Sequence, residues 1–348
     1  MPITIDGTNG ITQAGEFNSD SSFGFKNRII NGGMDIAQRG TSFTSGANND
    51  DAYVLDRFYI LSDGNDAIDV TQTTTVPTGA KFSIGLDVET TNKKFGIAQI
   101  IENANCFDAI GGAVTLSFQA KVSATTKLDN VKCAIVAWSG TADSVTSDII
   151  SAWGAEGTNP TLIANATYEN TPANLNVTTS FATYSVTANV DTASTSNIIV
   201  FIWSDVTDTT AGDFLYVTNI QLEKGSTATS FDYRPFTTEL QLCQRYYAKT
   251  FAQGTAPAQN AGSTNAIVVR AATTGQPISA QWKLPVTMRA APTLTTFNTI
   301  AANANWSANP SSPVVASSLG TEVISIFGTT NTLNGNSYGI HATAEIEL

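Results

Sequence analysis

Apolar and polar residues alternate strictly in several runs of this sequence, and this alternation restricts the fold more than any other feature. A period of two is typical of strands that bury one face and expose the other. Residues 198–203 are apolar throughout, which predicts a strand buried on both faces. The four apolar faces that we assign by alternation are Val114/Leu116/Phe118/Ala120, Val131/Cys133/Ile135/Ala137, Ala182/Tyr184/Val186/Ala188/Val190 and Phe214/Tyr216/Thr218/Ile220/Leu222.

Turn-forming clusters separate these runs. SGTADS, DTAST and DVTDTTAGD are rich in residues that favour tight turns. Charged residues make up only 13% of the chain, so Thr, Ser, Asn and Gly must cover much of the surface, and β-branched Thr favours strands. We therefore predict an all-β protein in which the main part is an antiparallel jelly-roll sandwich.

Four segments are predicted along the chain. Residues 1–26 form a leader for attachment or oligomerisation, and residues 27–234 form the jelly roll. A helical joint follows at residues 235–250. Residues 251–348 are predicted to form a smaller β-sandwich tip domain, with strands at residues 266–272, 278–284, 293–298, 323–327 and 338–348.

A short helix is predicted within the joint, at about residues 237–247. Pro235 precedes it, and Thr238 and Gln241 have the spacing of a capping box. Three side chains on one face of this helix would act as a buried wedge between domains or between protomers. They are Leu240, Cys243 and Tyr247.

The leader contains two turn dipeptides, Asp6-Gly7 and Asn9-Gly10, which predict one short hairpin or a looped strand. An isolated hairpin cannot bury its isoleucines, so we expect it to dock on a neighbouring chain or a larger assembly. The leader lacks the basic and apolar regions of a signal peptide, so we expect a protein made in the cytoplasm without secretion.

Charge and hydropathy exclude two classes of partner. The formal net charge is −12 and there is no basic run, which argues against nucleic acid. The longest apolar run is too short to cross a bilayer, so we expect no membrane insertion. The three cysteines are widely spaced and are expected to be buried thiols.

Catalytic motifs are absent from the sequence, and we expect no enzyme activity. His341 is the one histidine and lies in a strand-like run. Carboxylates in groups are candidates for glycoside hydrolysis, but most lie in turns that favour Asp for local reasons. The run at residues 205–213 could hold a structural calcium ion but lacks the spacing of an EF-hand, so we predict no cofactor. The carboxylate groups are Asp50/Asp51, Asp205/Asp208/Asp213 and Glu345/Glu347.

Aromatic residues are the remaining candidates for a binding site, because sugars stack on aromatic rings while polar side chains bind their hydroxyls. Trp138 and Trp203 lie in predicted strands and are assigned to the core. Four other aromatic residues flank the long loop that we predict at residues 155–179 or lie in runs of Asn, Ser and Gly. These candidate ligand-binding residues are Trp153, Tyr168, Trp306 and Tyr338.

Three motifs and the leader resemble segments of phage tail-fibre and receptor-binding proteins. NRIINGGMDIAQRGTSF with YVLDRFYI resembles the opening of a module in that family, and QLEKGSTATSFDYRP with ELQLCQRYY resembles its close. LPVTMRAAPTL is similar to a strand pair that follows, and ITIDGTNGIT is similar to short repeats of cyanophage-type fibres. Phe58 stands where the family often has Trp, and Asp232 where it often has Glu.

The resemblance implies a jelly roll like that of carbohydrate-binding modules, followed by a β-rich tip, in a homotrimer on a virion. It implies a phage tail fibre or receptor-binding protein that adheres to host surface polysaccharide and contacts other virion proteins through residues 1–26. A capsid decoration, head-fibre or collar protein with the same module is the alternative, and a polysaccharide depolymerase is a further one.

Overall fold

The structure is a computed structural model that describes residues 5–6, 10–11, 25–270, 273, 275–307, 312–330 and 337–348. Within the leader, β1 (Ile5–Asp6) and β2 (Gly10–Ile11) pair antiparallel, as the predicted hairpin requires. The other leader residues up to 24, and with them the predicted attachment contacts, lie outside the described residues. The rest of the protein is an all-β fold of antiparallel sheets, as predicted.

Two large sheets form a jelly-roll sandwich. One has five strands in the order β12-β9-β14-β7-β4, and the other has six in the order β13-β8-β15-β6-β5-β3. The elements are β3 (Ser42–Phe43), β4 (Tyr59–Ser62), β5 (Ile68–Thr73), β6 (Ser83–Val88), β7 (Phe95–Ile101), α1 (Asn103–Cys106), β8 (Ala113–Val122), β9 (Val131–Trp138), β10 (Ile150–Ala152), β11 (Thr161–Leu162), β12 (Ala166–Tyr168), β13 (Ala182–Asn189), β14 (Asn197–Ser204) and β15 (Phe214–Lys224).

The core between the sheets confirms three of the four predicted faces, and β14 is buried throughout. The fourth face is correct for Ile220 and Leu222 but wrong for Phe214 and Tyr216, because β15 contains a β-bulge. Thr218 of β15 pairs with Gln119 of β8. Gln221, three residues later on β15, pairs with Ser117, which is only two residues from Gln119, so β15 has one extra residue here. The extra residue reverses which side chains face inward. Ile220 and Leu222 therefore lie in the core, whereas Phe214 and Tyr216 alternate with the core residues Leu215 and Val217 and face outward.

The outer face of the five-stranded sheet is also buried, under a second apolar cluster. Phe201 and Trp203 on β14 stack on each other with ring centroids 4.4 Å apart. The long run at residues 155–179, which we expected to be a loop, contains the short strands β11 and β12 and packs over this cluster. Its role here is to cover apolar surface that would otherwise be exposed.

A buried ion pair fixes this covering segment. Lys132 on β9 lies 2.9 Å from Asp205, and Lys132 also donates to the carbonyl oxygen of Gly157. The backbone N–H of Gly157 donates to the same Asp205 carboxylate at 3.1 Å. Both charges therefore have several partners, as burial in a low-dielectric site requires.

The joint helix α2 (Phe236–Gln244) is shorter than predicted, and the capping box does not form. Pro235 occupies the N-cap and no side chain caps the helix. Tyr247 lies beyond the helix, in strand β16 (Tyr247–Lys249). Cys243 is fully buried and Leu240 is half-buried, both against the cluster on the five-stranded sheet. The predicted wedge thus packs within a single chain, with Tyr246 taking the place that we assigned to Tyr247.

Two smaller sheets form the tip. The first contains β16, β17, β19 and β22, with β22 at its centre, and the second has the order β18-β21-β20. Trp282, Ile324 and Ile340 lie in the core between them. Strands β16 and β20 were not predicted. The elements are β16 (Tyr247–Lys249), β17 (Ile267–Arg270), β18 (Pro277–Lys283), β19 (Thr293–Asn298), β20 (Val314–Leu319), β21 (Val323–Thr330) and β22 (Ser337–Glu345).

Ion pairs join the tip to the sandwich; the Glu347 side chain is buried, whereas that of Glu345 is 43% exposed. Glu347 accepts from Arg57 and lies 3.0 Å from Arg39, which also lies 2.9 Å from Glu345. Burial lowers the pKa of the Arg39 guanidinium, but Glu347 and Glu345 outweigh burial and raise it overall. The Arg57 guanidinium stacks 3.6 Å from the ring centroid of Tyr246. We call the group Arg39, Arg57, Tyr246, Glu345 and Glu347 the joint cluster.

Every arginine of the joint cluster comes from a motif that carries the family resemblance. Arg39 belongs to the QRG sequence and Arg57 to the DRF sequence, and Arg245 of QRYY forms a further pair with Glu102 at 2.6 Å. The motif residues Arg234 and Glu239 pair with each other at 3.0 Å. These motifs therefore encode the joint between sandwich and tip.

His341, on β22, is buried and is expected to make the tip sensitive to acid. Its Nε2 lies 3.2 Å from the carbonyl oxygen of Gly262 and its Nδ1 lies 2.8 Å from the Thr250 hydroxyl, an arrangement that suits a neutral ring with the proton on Nε2. Burial lowers the pKa of His341, against the opposing effect of the Gly262 carbonyl. Because the unfolded imidazole takes up a proton first, acid favours the unfolded state.

We expect the wild-type protein to lose stability relative to His341→Gln as the pH falls from 7.5 to 5. Urea unfolding of both proteins at the two pH values measures this difference. His341 and its lowered pKa predict that the wild-type protein loses more stability than the variant on acidification. An equal change in both proteins contradicts the assignment of a neutral, buried imidazole.

Among the residues that the structure describes, no helix is long and apolar enough to cross a membrane.

Candidate functional site

The outer face of the six-stranded sheet is the broad surface of the sandwich that other segments leave partly open. Along β8 the side chains of Ser117, Gln119 and Lys121 point outward, because the residues between them lie in the core. The neighbouring strand β13 places Thr183 and Ser185 beside them by direct pairing. This row of hydroxyl, amide and amine groups can donate and accept hydrogen bonds.

Aromatic rings flank the row at one end. Phe214 and Tyr216 on β15 stack with ring centroids 5.2 Å apart and planes 7° apart. The Lys121 ammonium lies 5.1 Å from the Tyr216 ring centroid and 5.4 Å from that of Phe181. We call Phe181, Lys121, Tyr216 and Phe214 the aromatic strip. All four side chains are half-buried, so part of each stays available to a ligand.

Two backbone features position the strip. The β-bulge of β15 directs Phe214 and Tyr216 outward, and Gly85 on β6 lies directly across from Tyr216. A Cβ atom at position 85 would lie 3.4 Å from Tyr216 Cε1 and 3.1 Å from the Thr71 hydroxyl. The absence of a side chain at Gly85 therefore lets the Tyr216 ring lie close to the sheet.

Two carboxylates lie next to the strip. Asp87 pairs directly with Phe214 on one side and with Asp69 on the other. Burial raises the pKa of both carboxyls, and in each case neighbouring acidic groups add to the rise. Like charges directly opposite one another in a sheet repel. This end of the face therefore presents negative charge beside the single cation Lys121 of the strip.

A cleft of about 320 Å³ opens at the other end of the row. Its floor includes Ser117, Gln119 and Thr183, and its far wall is the chain segment 229–233, which crosses the sheet. Phe231 and Tyr233 in this segment pack edge to face with centroids 4.7 Å apart. The cleft is thus polar on the sheet side and aromatic on the other.

The four aromatic residues singled out from the sequence lie elsewhere. Trp153 packs edge to face on Phe201, and Tyr168 stacks near Trp203 and donates its hydroxyl to the Pro160 carbonyl. Both are half-buried in the cover of the five-stranded sheet. Trp306 and Tyr338 are 0% and 1% exposed in the tip.

Ligand binding by these four rings stays a prediction. For Trp306 and Tyr338 their burial argues against it, because a ring without exposed surface cannot stack on a sugar. Tyr338 lies within strand β22 and not in a loop. Trp306 forms an isolated antiparallel β-bridge with Ser312.

The predicted carboxylate groups are spread over the molecule. Glu345 and Glu347 are part of the joint cluster, and Asp205 is paired with Lys132. Asp213 accepts from Thr210, and Asp208 lies 3.6 Å from Lys127. Across the described ranges, no group of three or more His, Cys, Asp or Glu side chains is placed to hold a metal ion.

Asp50 and Asp51 lie beside β4, on the other sheet from the strip. Asp50 accepts from the backbone N–H of Ser62, and Asp51 has a φ of 65° in a turn. Burial, together with Asp50 and Asp148, raises the pKa of Asp51 to about 7.

Sequence reasoning missed the aromatic strip because it assigned Phe214 and Tyr216 to the core. One signal was present: the run FLYVTNIQL has apolar residues in both phases of the alternation, with Asn219 between them. Asn219 adopts a φ of 52°, a conformation that Asn tolerates better than most residues. An Asn at a change of phase is therefore a usable indication of a bulge.

Comparison with known proteins finds partial structural likeness only. No protein-family model and no curated protein matches the sequence. A structure of the enzymatically active domain of tailspike protein 4 from bacteriophage CBA120 matches 57% of this chain with 16% identity and a TM-score of 0.33. A putative sugar binding protein from Bacteroides thetaiotaomicron matches 57% with 14% identity and a TM-score of 0.36. A xylan-binding domain from Paenibacillus barcinonensis matches 49% with 13% identity and a TM-score of 0.29.

The matches cover unequal shares of these proteins: 22% of the tailspike chain, 100% of the sugar binding protein and 87% of the xylan-binding domain. At such identities and scores the comparison concerns the fold alone. The chain is a two-part all-β protein whose larger part is an antiparallel jelly-roll sandwich.

Proposed function

We propose that this protein is a non-enzymatic adhesion protein that binds glycan through the outer face of the six-stranded sheet. The observation that carries the proposal is the aromatic strip, in which stacked rings lie beside a row of hydroxyl and amide groups on a partly open face. Sugar rings stack their apolar C–H faces on aromatic side chains, while polar neighbours bind the hydroxyls.

We further propose that the protein acts on a virion, as a phage tail fibre or receptor-binding protein that adheres to host surface polysaccharide. This proposal is supported by the motifs around Arg39, Arg57 and Arg245, which resemble those of phage tail-fibre and receptor-binding proteins. In this proposal the chain assembles as a homotrimer and residues 1–26 contact other virion proteins.

The aromatic strip is tested by Tyr216→Ala. Loss of the ring is expected to weaken binding to the host polysaccharide about tenfold, which corresponds to about 1.4 kcal/mol. Binding is measured by adsorption of the purified protein to whole cells and to their extracted polysaccharide. Phe107→Ala is the matched control, because Phe107 is 65% exposed and lies outside the strip. Equal loss of binding in both variants, or no loss in either, would contradict glycan binding through this face.

A polysaccharide depolymerase is the second candidate, and the raised pKa of Asp51 favours it, since perturbed carboxyls are common at catalytic sites. Incubation of the protein with host polysaccharide, followed by a reducing-end assay, separates the two functions. Sustained release of oligosaccharide that is abolished by Asp51→Asn would establish an enzyme in place of an adhesin.

A further inference from the structure

The cleft at the end of the sheet has a lining that restricts its ligand. Its lining contains no charged side chain among the described residues, although the chain as a whole has a net charge of −12. An ionic ligand would lose its hydration in such a cleft without gaining a counter-ion. The volume of about 320 Å³ lies at the lower end of the range for small-molecule sites, about 300–1,000 Å³. The cleft therefore suits one neutral sugar unit better than a charged or extended ligand.

Hydrogen bonds fix the orientation of the amide on the cleft floor. Gln119 Oε1 accepts from Asn219 Nδ2 at 2.7 Å, and the same Nδ2 donates to the Tyr233 hydroxyl at 3.1 Å. The Tyr233 hydroxyl in turn donates to the Gly79 carbonyl at 3.0 Å. Because its oxygen is engaged, Gln119 offers its NH₂ group, and that group has no hydrogen-bond partner among the described residues.

The other polar groups of the floor complement this donor. The hydroxyls of Ser117 and Thr183 line the cleft and have no hydrogen-bond partner in the described part of the chain. A hydroxyl both donates and accepts. The opposite wall presents the rings of Phe231 and Tyr233, which can contact a small apolar group.

From this arrangement we infer that the cleft binds the acetamido group of a neutral N-acetylated sugar within the bound glycan. The Gln119 NH₂ donates to the acetamido carbonyl oxygen, a floor hydroxyl accepts from the acetamido N–H, and the methyl group packs against the aromatic wall. This inference rests on the proposed glycan-binding function and specifies the sugar class for the same face. It makes Gln119 the residue that determines specificity.

The test compares small sugars and whole polysaccharide on the same protein. Titrations followed by NMR use the methyl glycosides of N-acetylglucosamine, N-acetylgalactosamine, glucose and glucosamine. At least one N-acetylated glycoside is expected to bind tenfold or more tightly than its parent hexose, with shifts at Gln119 and Thr183. Gln119→Glu replaces the donor by a carboxylate at similar volume and is expected to remove this preference. Gln281→Glu is the matched control, because Gln281 is exposed on β18 of the tip and does not line the cleft.

Three results would overturn the inference, and they show whether the proposed function fails with it. If the host polysaccharide binds and Tyr216→Ala weakens it, but N-acetylated and parent sugars bind alike, the acetamido site is wrong and the adhesion function stands. An unchanged preference in Gln119→Glu has the same meaning. If neither polysaccharide nor any glycoside binds, the proposed function and the acetamido site fail together.

Discussion

Replacing Glu347 by Ala is expected to lower the free energy of unfolding by about 3–5 kcal/mol, the cost of breaking a buried ion pair by removing one partner. The Arg57 side chain is 1% exposed and the Glu347 side chain 5%, so the arginine that remains has no access to solvent. Arg39 keeps Glu345, but Arg57 loses its carboxylate partner; among the described residues it retains the Ile100 carbonyl and the Tyr246 ring. The midpoint of urea unfolding measures the loss.

Glu345→Ala is the control for this prediction. Glu345 also pairs with Arg39, but its side chain is 43% exposed, and exposed pairs contribute about 0–1 kcal/mol. The prediction requires that Glu347→Ala lowers the free energy of unfolding clearly more than Glu345→Ala does. Equal losses, or a Glu347→Ala protein within about 1 kcal/mol of the wild type, would show that the joint cluster does not hold the two parts together.

The second large effect is expected from Asp205→Ala, again about 3–5 kcal/mol, since it leaves Lys132 charged and buried. The Asp205 side chain is fully buried and that of Lys132 is 4% exposed. Asp205 also accepts from the Gly157 N–H, so its loss releases the segment that covers the five-stranded sheet. Faster amide hydrogen exchange at residues 155–159, together with a lower unfolding midpoint, is the expected result.

Two further variants test whether the expected loss of stability comes from leaving one charge buried without a partner. Lys132→Met combined with Asp205→Leu removes both charges and is expected to be more stable than Asp205→Ala, because apolar residues of similar volume can replace a buried pair. Asp208→Ala breaks the exposed pair with Lys127 and is expected to cost less than about 1 kcal/mol. A double variant as unstable as Asp205→Ala contradicts the reasoning from desolvation.

Sequence pattern predicted the sandwich well, because a strand buried on one face follows a period of two, and the apolar run of β14 indicated burial on both faces. The faces on β8, β9 and β13 lie as assigned. The assignment of Phe214 and Tyr216 on β15 was wrong because a bulge is a property of strand pairing: the extra residue is defined only against Gln119 and Ser117 on the partner strand. A single sequence does not contain that register.

The sequence predicted that the helix of the joint is a buried wedge, but it did not predict the ion pairs of the joint cluster. Arg39, Arg57 and Glu347 are separated by up to 308 residues and meet only in the folded chain. The helix ended early because Tyr247 pairs with Glu345 in a sheet, a tertiary constraint that local helix signals do not contain. The aromatic candidates were chosen by loop context, and that criterion selected rings such as Trp306 that the tip core uses for packing.

The joint cluster also has a mechanical consequence. Its contacts join three separate stretches of chain, around residues 38–57, 245–249 and 345–348, and the connecting polypeptide is only one of the links between sandwich and tip. A force that pulls the tip away from the sandwich is therefore shared among parallel connections, and it does not stretch a single linker. We therefore expect tension on one part to be transmitted to the other with little bending at the joint.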